Sequence, residues 1–185
     1  MRTTLLLAMA LIAPSPAALS GPSEQTYRKT LDQPQPIQGY PCAKGYVWFY
    51  AGGRLKRCTI ASDIIFGTVA VPAQSIIQLL EDGQPQYAMM VRNTLVNGLP
   101  CAGGGPLGPG EGATTELYPS GKLKGCFLTQ NQIVQGVPCA RGGIHYAMTG
   151  NDVPIEFYES GKLKSCLLTA DHNSQHSGNT FEQGP

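Results

Sequence analysis

The sequence predicts an all-β fold: antiparallel β-hairpin repeats, three clear copies and one degenerate, joined into a twisted sheet or meander. Turn formers are abundant, with 23 Gly and 15 Pro in 185 residues, which favours many short strands over long helices. Only 14% of residues are charged, against about 25% in ordinary soluble chains. The third and decisive observation is an internal repeat, the feature to seek first because missing it misreads the whole fold. Gly-x-Pro-Cys-Ala occurs at Gly39–Ala43, Gly98–Ala102 and Gly136–Ala140. Each occurrence is followed by a strand, a turn and Gly-x-Leu-Lys-x-Cys, ending at Cys58, Cys126 and Cys166.

Residues 1–20 have the form of a secretory signal peptide. Arg2 gives the positive start, Leu5 to Ala13 a short apolar run, and Ala18-Leu19-Ser20 or Ser15-Pro16-Ala17 a small-residue cleavage site. The run is too short to span a bilayer, and no later segment of the mature chain could cross one. Removal of residues 1–20 leaves twelve basic and twelve acidic residues. Phosphate-binding proteins carry a basic excess, so no nucleic-acid partner is expected. Residues 21–36, rich in Pro, Gln and Ser, read as a flexible lead-in, and 170–185 as a disordered polar tail.

The repeat domain spans residues 37–169. Its turn glycines are Gly53, Gly83, Gly121 and Gly161, spaced 30, 38 and 40 residues apart. The second of these belongs to the worn copy, in which Ala70-Val71-Pro72-Ala73 aligns with Gly-x-Pro-Cys. Copies three and four carry the insertions Gly103 to Gly112 and Arg141 to Pro154. Tyr118-Pro119-Ser120-Gly121-Lys122 has the composition of a three-residue hairpin loop, with Gly in the left-handed position of a G1 bulge. That loop sets Tyr118 against Lys122, Glu116 against Lys124, Glu156 against Lys164, Trp48 against Lys56 and Cys58 against Tyr46. The two-residue period then assigns Phe49, Leu55, Leu117, Leu123, Phe157 and Leu163 to the core face. The opposite face receives Tyr50, Tyr118, Tyr158 and the Lys and Arg residues, a solvated surface on which opposite charges neutralise one another.

Tyr-x-Ser-Gly-Lys-Leu-Lys resembles the divergent bacterial relatives of the MORN repeat, over Ile37 to Thr169. The resemblance implies consecutive β-hairpins and, by analogy, binding to proteins or lipid surfaces. The Pro-Cys-Ala opening and the paired cysteines depart from the usual MORN pattern.

Six cysteines allow 15 complete pairings. The worn copy narrows the choice, because Ala73 and Ala88 stand where both of its cysteines would be. Loss of both together while the count stays even points to pairs within each copy: Cys42–Cys58, Cys101–Cys126 and Cys139–Cys166. Export implies an oxidising compartment, periplasmic or extracellular, where such pairs close.

No catalytic constellation is legible. There is no Cys-x-x-Cys for a redox or zinc site, and Gly103-Gly104-Gly105 lacks the Gly-Lys-Ser/Thr ending of a phosphate loop. His172 and His176 lie in the polar tail, where solvation is the plain reading. No cofactor and no metal are expected. The leading expectation is a non-enzymatic exported module with a protein-interaction or structural role, its partner an unidentified protein or envelope component. Its candidate binding surface comprises Trp48, Tyr118, Tyr158 and the two insertions. The alternative is an envelope enzyme with His145 at its site.

Overall fold

A computed structural model describes residues 25–104, 114–142, 153–169 and, for the backbone alone, 180–182. Residues 1–24, including the expected signal peptide, most of both insertions, and His145, His172 and His176 lie outside the described residues.

Two kinds of hairpin alternate along the chain. The long ones pair β3 (Tyr40–Tyr50) with β4 (Leu55–Ile60), β7 (Ile76–Leu79) with β8 (Pro85–Met89), β11 (Thr114–Leu117) with β12 (Leu123–Cys126), and β15 (Ile155–Phe157) with β16 (Leu163–Leu167). With β1 (Thr26–Leu31) and β17 (Thr180–Glu182) at its edges, they form one antiparallel sheet in the order β1-β3-β4-β7-β8-β11-β12-β15-β16-β17. The short hairpins are β2 (Gln35–Ile37) with the start of β3, β5 (Ile64–Phe66) with β6 (Val69–Val71), β9 (Thr94–Val96) with β10 (Leu99–Cys101), and β13 (Gln132–Val134) with β14 (Val137–Cys139).

Each long hairpin turns as its sequence requires. In all four, the residue before the loop accepts a bond from the glycine N–H: Tyr50 from Gly53, Leu80 from Gly83, Tyr118 from Gly121 and Tyr158 from Gly161, at 2.8–2.9 Å. The glycines sit at φ of 79°, 89°, 81° and 86°, the left-handed region where a side chain is strained. Phe49, Leu55, Leu117, Leu123, Phe157 and Leu163 are all buried on one face, as the period of two demands.

The registers beyond the turns differ from the expected ones by one residue. Trp48 faces Arg57, Glu116 faces Gly125, Glu156 faces Ser165 and Cys58 faces Val47. A bulge after the first pair inserts the extra residue. Two end segments also differ from expectation. Thr26–Leu31, read as part of a flexible lead-in, is edge strand β1, its alternate residues Tyr27, Lys29 and Leu31 turned toward the core side. Tyr27 stacks on Phe49 at 5.3 Å and Lys29 lies over both rings, so the end of the core is closed and an inward charge guards the edge. Thr180–Glu182, placed in a disordered tail, pairs with β16.

The Gly-x-Pro-Cys openings are the short hairpins. Gln38-Gly39, Asn97-Gly98 and Gln135-Gly136 take positive φ at both positions, the two-residue turn whose twist suits adjacent strands. Phe66, Val69, Val71, Val96, Leu99 and Val134 of the short hairpins join the sheet's inner face in one apolar cluster. The fold is therefore a sheet with a second layer of short hairpins on one face. Asp63, Asn93 and Asn131 latch the hairpin bases, accepting from the N–H groups of Ala73, Gly103 and Arg141 at 2.7–2.9 Å.

Three disulfides tie the layers: Cys42–Cys58, Cys101–Cys126 and Cys139–Cys166, with Cα separations of 5.7–5.8 Å. In the worn copy the residue in the first cysteine's place is Val71, not Ala73. Val71 pairs with Ile64 as Cys101 pairs with Thr94 and Cys139 with Gln132. Val71 and Ala88 are both fully buried, so an aliphatic contact replaces the bond.

Gln38 and Gln135 show how the layers are held in register. Gln135 Oε1 accepts from Leu163 N–H at 3.0 Å while its Nε2 donates to Gly161 O at 2.9 Å; Gln38 does the same with Leu55 and Gly53. The two bonds offset the strain of a non-glycine residue at φ 50°. The worn copy cannot repeat this, because Pro85 stands where the leucine N–H would donate. We expect Gln135→Ala to cost about 1–3 kcal/mol, measured by denaturant unfolding, with no change in disulfide content.

Candidate functional site

One cross-strand row runs the width of the sheet's outer face. Arg28, Trp48, Arg57, Gln78, Tyr87, Glu116, Gly125, Glu156 and Ser165 stand successively opposite one another. Its C-terminal half neutralises itself. Lys124 meets Glu116 at 2.8 Å and Lys164 meets Glu156 at 3.0 Å. Burial pushes the Glu156 carboxyl up, but bonds from Lys164 and Ser165 outweigh it and hold the group below the usual range. Its N-terminal half is different: Arg28 lies 4.1 Å from the Tyr46 ring centre, and Arg57 lies 5.5 Å from that of Trp48.

The three expected surface aromatics do not converge. Trp48 is on β3, and three strands separate it from β11, a distance of about 19 Å at ordinary strand spacing. Tyr118 is half-buried, and its hydroxyl donates to the Phe157 carbonyl at 2.8 Å. Tyr50 is buried and donates to Leu79 O at 2.7 Å. These two tyrosines link neighbouring repeats rather than awaiting a ligand. Tyr158 is half-buried beside its own turn, its N–H bonded to Lys162 O.

The other side of the molecule exposes apolar side chains in register. Ile65, Leu95 and Ile133 occupy the middle of the first strand in three successive short hairpins, and are 70%, 69% and 73% exposed. Ala70, Pro100 and Pro138 stand directly opposite them. Clefts flank the row. One of ≈520 Å³ lies between the last two short hairpins, with Leu99, Leu123 and Phe157 among its apolar walls and Asn97, Lys122 and Gln132 among its polar ones. Another, of ≈480 Å³, runs between Ile65 and Leu95. A row of this kind has a sequence signal, an apolar residue two or three positions before each turn glycine (Ile65 before Gly67, Leu95 before Gly98, Ile133 before Gly136), but it emerges only once the short hairpins are recognised.

Among the described residues no group of His, Cys, Asp and Glu is arranged to hold a metal ion. Thr115, on the inner face where the equivalent positions hold Val47, Ile77 and Ile155, buries an Oγ1 with no hydrogen-bond partner. Thr115→Val removes that desolvated hydroxyl at constant shape, and is expected to raise stability by about 1–2 kcal/mol. A thermal melt of the variant reads this directly. No family model, curated protein or solved structure matches the chain.

Proposed function

We propose that the protein is an exported, non-enzymatic repeat module that binds another protein of the cell envelope or its surroundings through the short-hairpin layer. The observation that carries this reading is the apolar row Ile65, Leu95 and Ile133. Large aliphatic side chains repeated in register on a solvated face have no packing role among the described residues. Contiguous exposed apolar surface of this kind marks interaction sites. The disulfides supply a rigid backing that lowers the ordering cost of binding, and they suit an oxidising compartment. The signal-like residues 1–20 and the MORN-like turn sequence support export and a binding role.

The test places a photo-crosslinking amino acid at Leu95 in cells, and a second at Gln78 on the opposite face. A discrete adduct from Leu95 alone, lost when Ile65 and Ile133 are changed to Asp, supports the reading. Equal adducts from both positions, or adducts that survive the Asp changes, contradict it.

A further inference from the structure

We infer that the cluster Arg28, Tyr46, Trp48 and Arg57 on the outer face of the sheet is a binding platform for an acidic polysaccharide, one whose sugar rings carry carboxylates. It lies on the face opposite the apolar row and does not rest on that reading.

Strand order builds the platform. β1 supplies Arg28, β3 supplies Tyr46 and Trp48, and β4 supplies Arg57, with Arg28, Trp48 and Arg57 directly opposite one another. Tyr46 is 52% exposed and meets Trp48 edge-on at 6.0 Å. Both guanidinium groups are held beside aromatic rings, at 4.1 and 5.5 Å. Such contacts orient the planar fork without consuming its N–H donors. Neither arginine has a carboxylate partner among the described residues, whereas the acidic residues further along the row are matched by Lys124 and Lys164. Arg57 Nε is moreover buried with no hydrogen-bond partner, and Nη2 has only a 3.8 Å contact with Met89 Sδ. Beyond Arg57 the row continues with Gln78 and Tyr87: Tyr87 Oη donates to Gln78 Oε1 at 2.6 Å, and Gln78 Nε2 donates to Gln86 Oε1, the bulged residue beside Tyr87, at 2.9 Å.

The sequence of chemistries is what a carboxylated glycan requires. Aromatic rings take the apolar C–H faces of sugars, paired N–H donors take carboxylates, and amide and phenol groups take hydroxyls. From Arg28 to Tyr87 the row crosses five strands, about 19 Å, enough for several consecutive rings. A peptide laid across this face would find only side chains, since backbone hydrogen-bonding groups lie in the plane of the sheet and, in all but edge strand β1, are spent within it. Nucleic acid, with a charge every ~1.7 Å of duplex, needs far more cations than this.

Trp48 is the single tryptophan in 185 residues, so its emission reports on the platform alone. The full-length protein with its disulfides intact is titrated with a short oligogalacturonate at physiological salt. A saturable change in Trp48 emission is expected, with the neutral oligogalactoside at least about tenfold weaker. Arg28→Gln, at an exposed position, is expected to weaken binding about tenfold while leaving the melting temperature unchanged. Arg57→Gln should do the same, and Arg28→Gln carries the result if Arg57→Gln does not fold. Unchanged emission, equal binding of the neutral oligomer, or displacement by polyglutamate or phosphatidylglycerol vesicles at equal concentration overturns the assignment.

Discussion

Gly121→Ala is expected to destabilise the protein by about 3 kcal/mol or more, while Gly161→Ala, at the equivalent turn of the last copy, costs about 1 kcal/mol. Both glycines hold left-handed conformations, at φ of 81° and 86°, so alanine strains both backbones equally. The difference lies in what surrounds them. A Cβ on Gly121 would come within 2.6 Å of Gly67 Cα, whereas one on Gly161 meets nothing within 4 Å. Gly67 is at the tip of the worn copy's short hairpin, and the next residue, Thr68, donates to Gly121 O through both its N–H and its hydroxyl, at 2.8 and 3.0 Å. The worn copy thus docks its short hairpin on the following long hairpin, the use that remains when Pro85 removes the donor in its own. Unfolding midpoints of the two variants measure the contrast; equal losses would show that the Gly67–Gly121 approach contributes nothing.

Removal of one disulfide gives the other large effect. Cys42→Ala with Cys58→Ala reopens a loop of 16 residues and leaves two sulfur-sized voids in the core. We expect a loss of about 3–5 kcal/mol. The worn copy indicates a milder replacement. Cys42→Val with Cys58→Ala reproduces the Val71 and Ala88 pair and should recover about 1–2 kcal/mol of that loss, since valine refills the apolar space. Chemical denaturation of the two double variants, compared with the parent, provides the numbers. If the valine variant is no better than the alanine one, burial of Val71 is not what holds the worn copy together.

The long hairpins were legible because their chemistry is local. Pro119-Ser120-Gly121 and Glu159-Ser160-Gly161 fix a loop, and the alternation of Leu117 with Glu116 or Phe157 with Glu156 fixes a face. The bulge beside each loop was not, because it depends on how the strands twist past the turn, and one unpaired residue moved every register beyond it. The short hairpins carry a fainter local signal. Asn97-Gly98 is a strong two-residue turn pair, but the flanking strands are three residues long, too short to show a period. Gln at a left-handed position is intelligible only when Gly53 or Gly161 is seen across the layer. Strands β1 and β17 gain their place from pairing with β3 and β16, and a local reading of Thr26–Leu31 or Thr180–Glu182 contains no partner. For the candidate sites, Trp48 was singled out from the sequence. Arg28, Tyr46 and Arg57 join it only through strand order, while Tyr118, expected beside it, is bonded to the next repeat and Tyr158 lies at its own turn.

Each of the three clear repeats is a two-layer unit closed by its own disulfide, which suits an oxidising compartment. Non-reducing peptide mapping of protein recovered from its native location tests it most directly. The expected map links Cys42 to Cys58, Cys101 to Cys126 and Cys139 to Cys166. Cys58 joined to Cys101, Cys126 joined to Cys139, or six free thiols would contradict it.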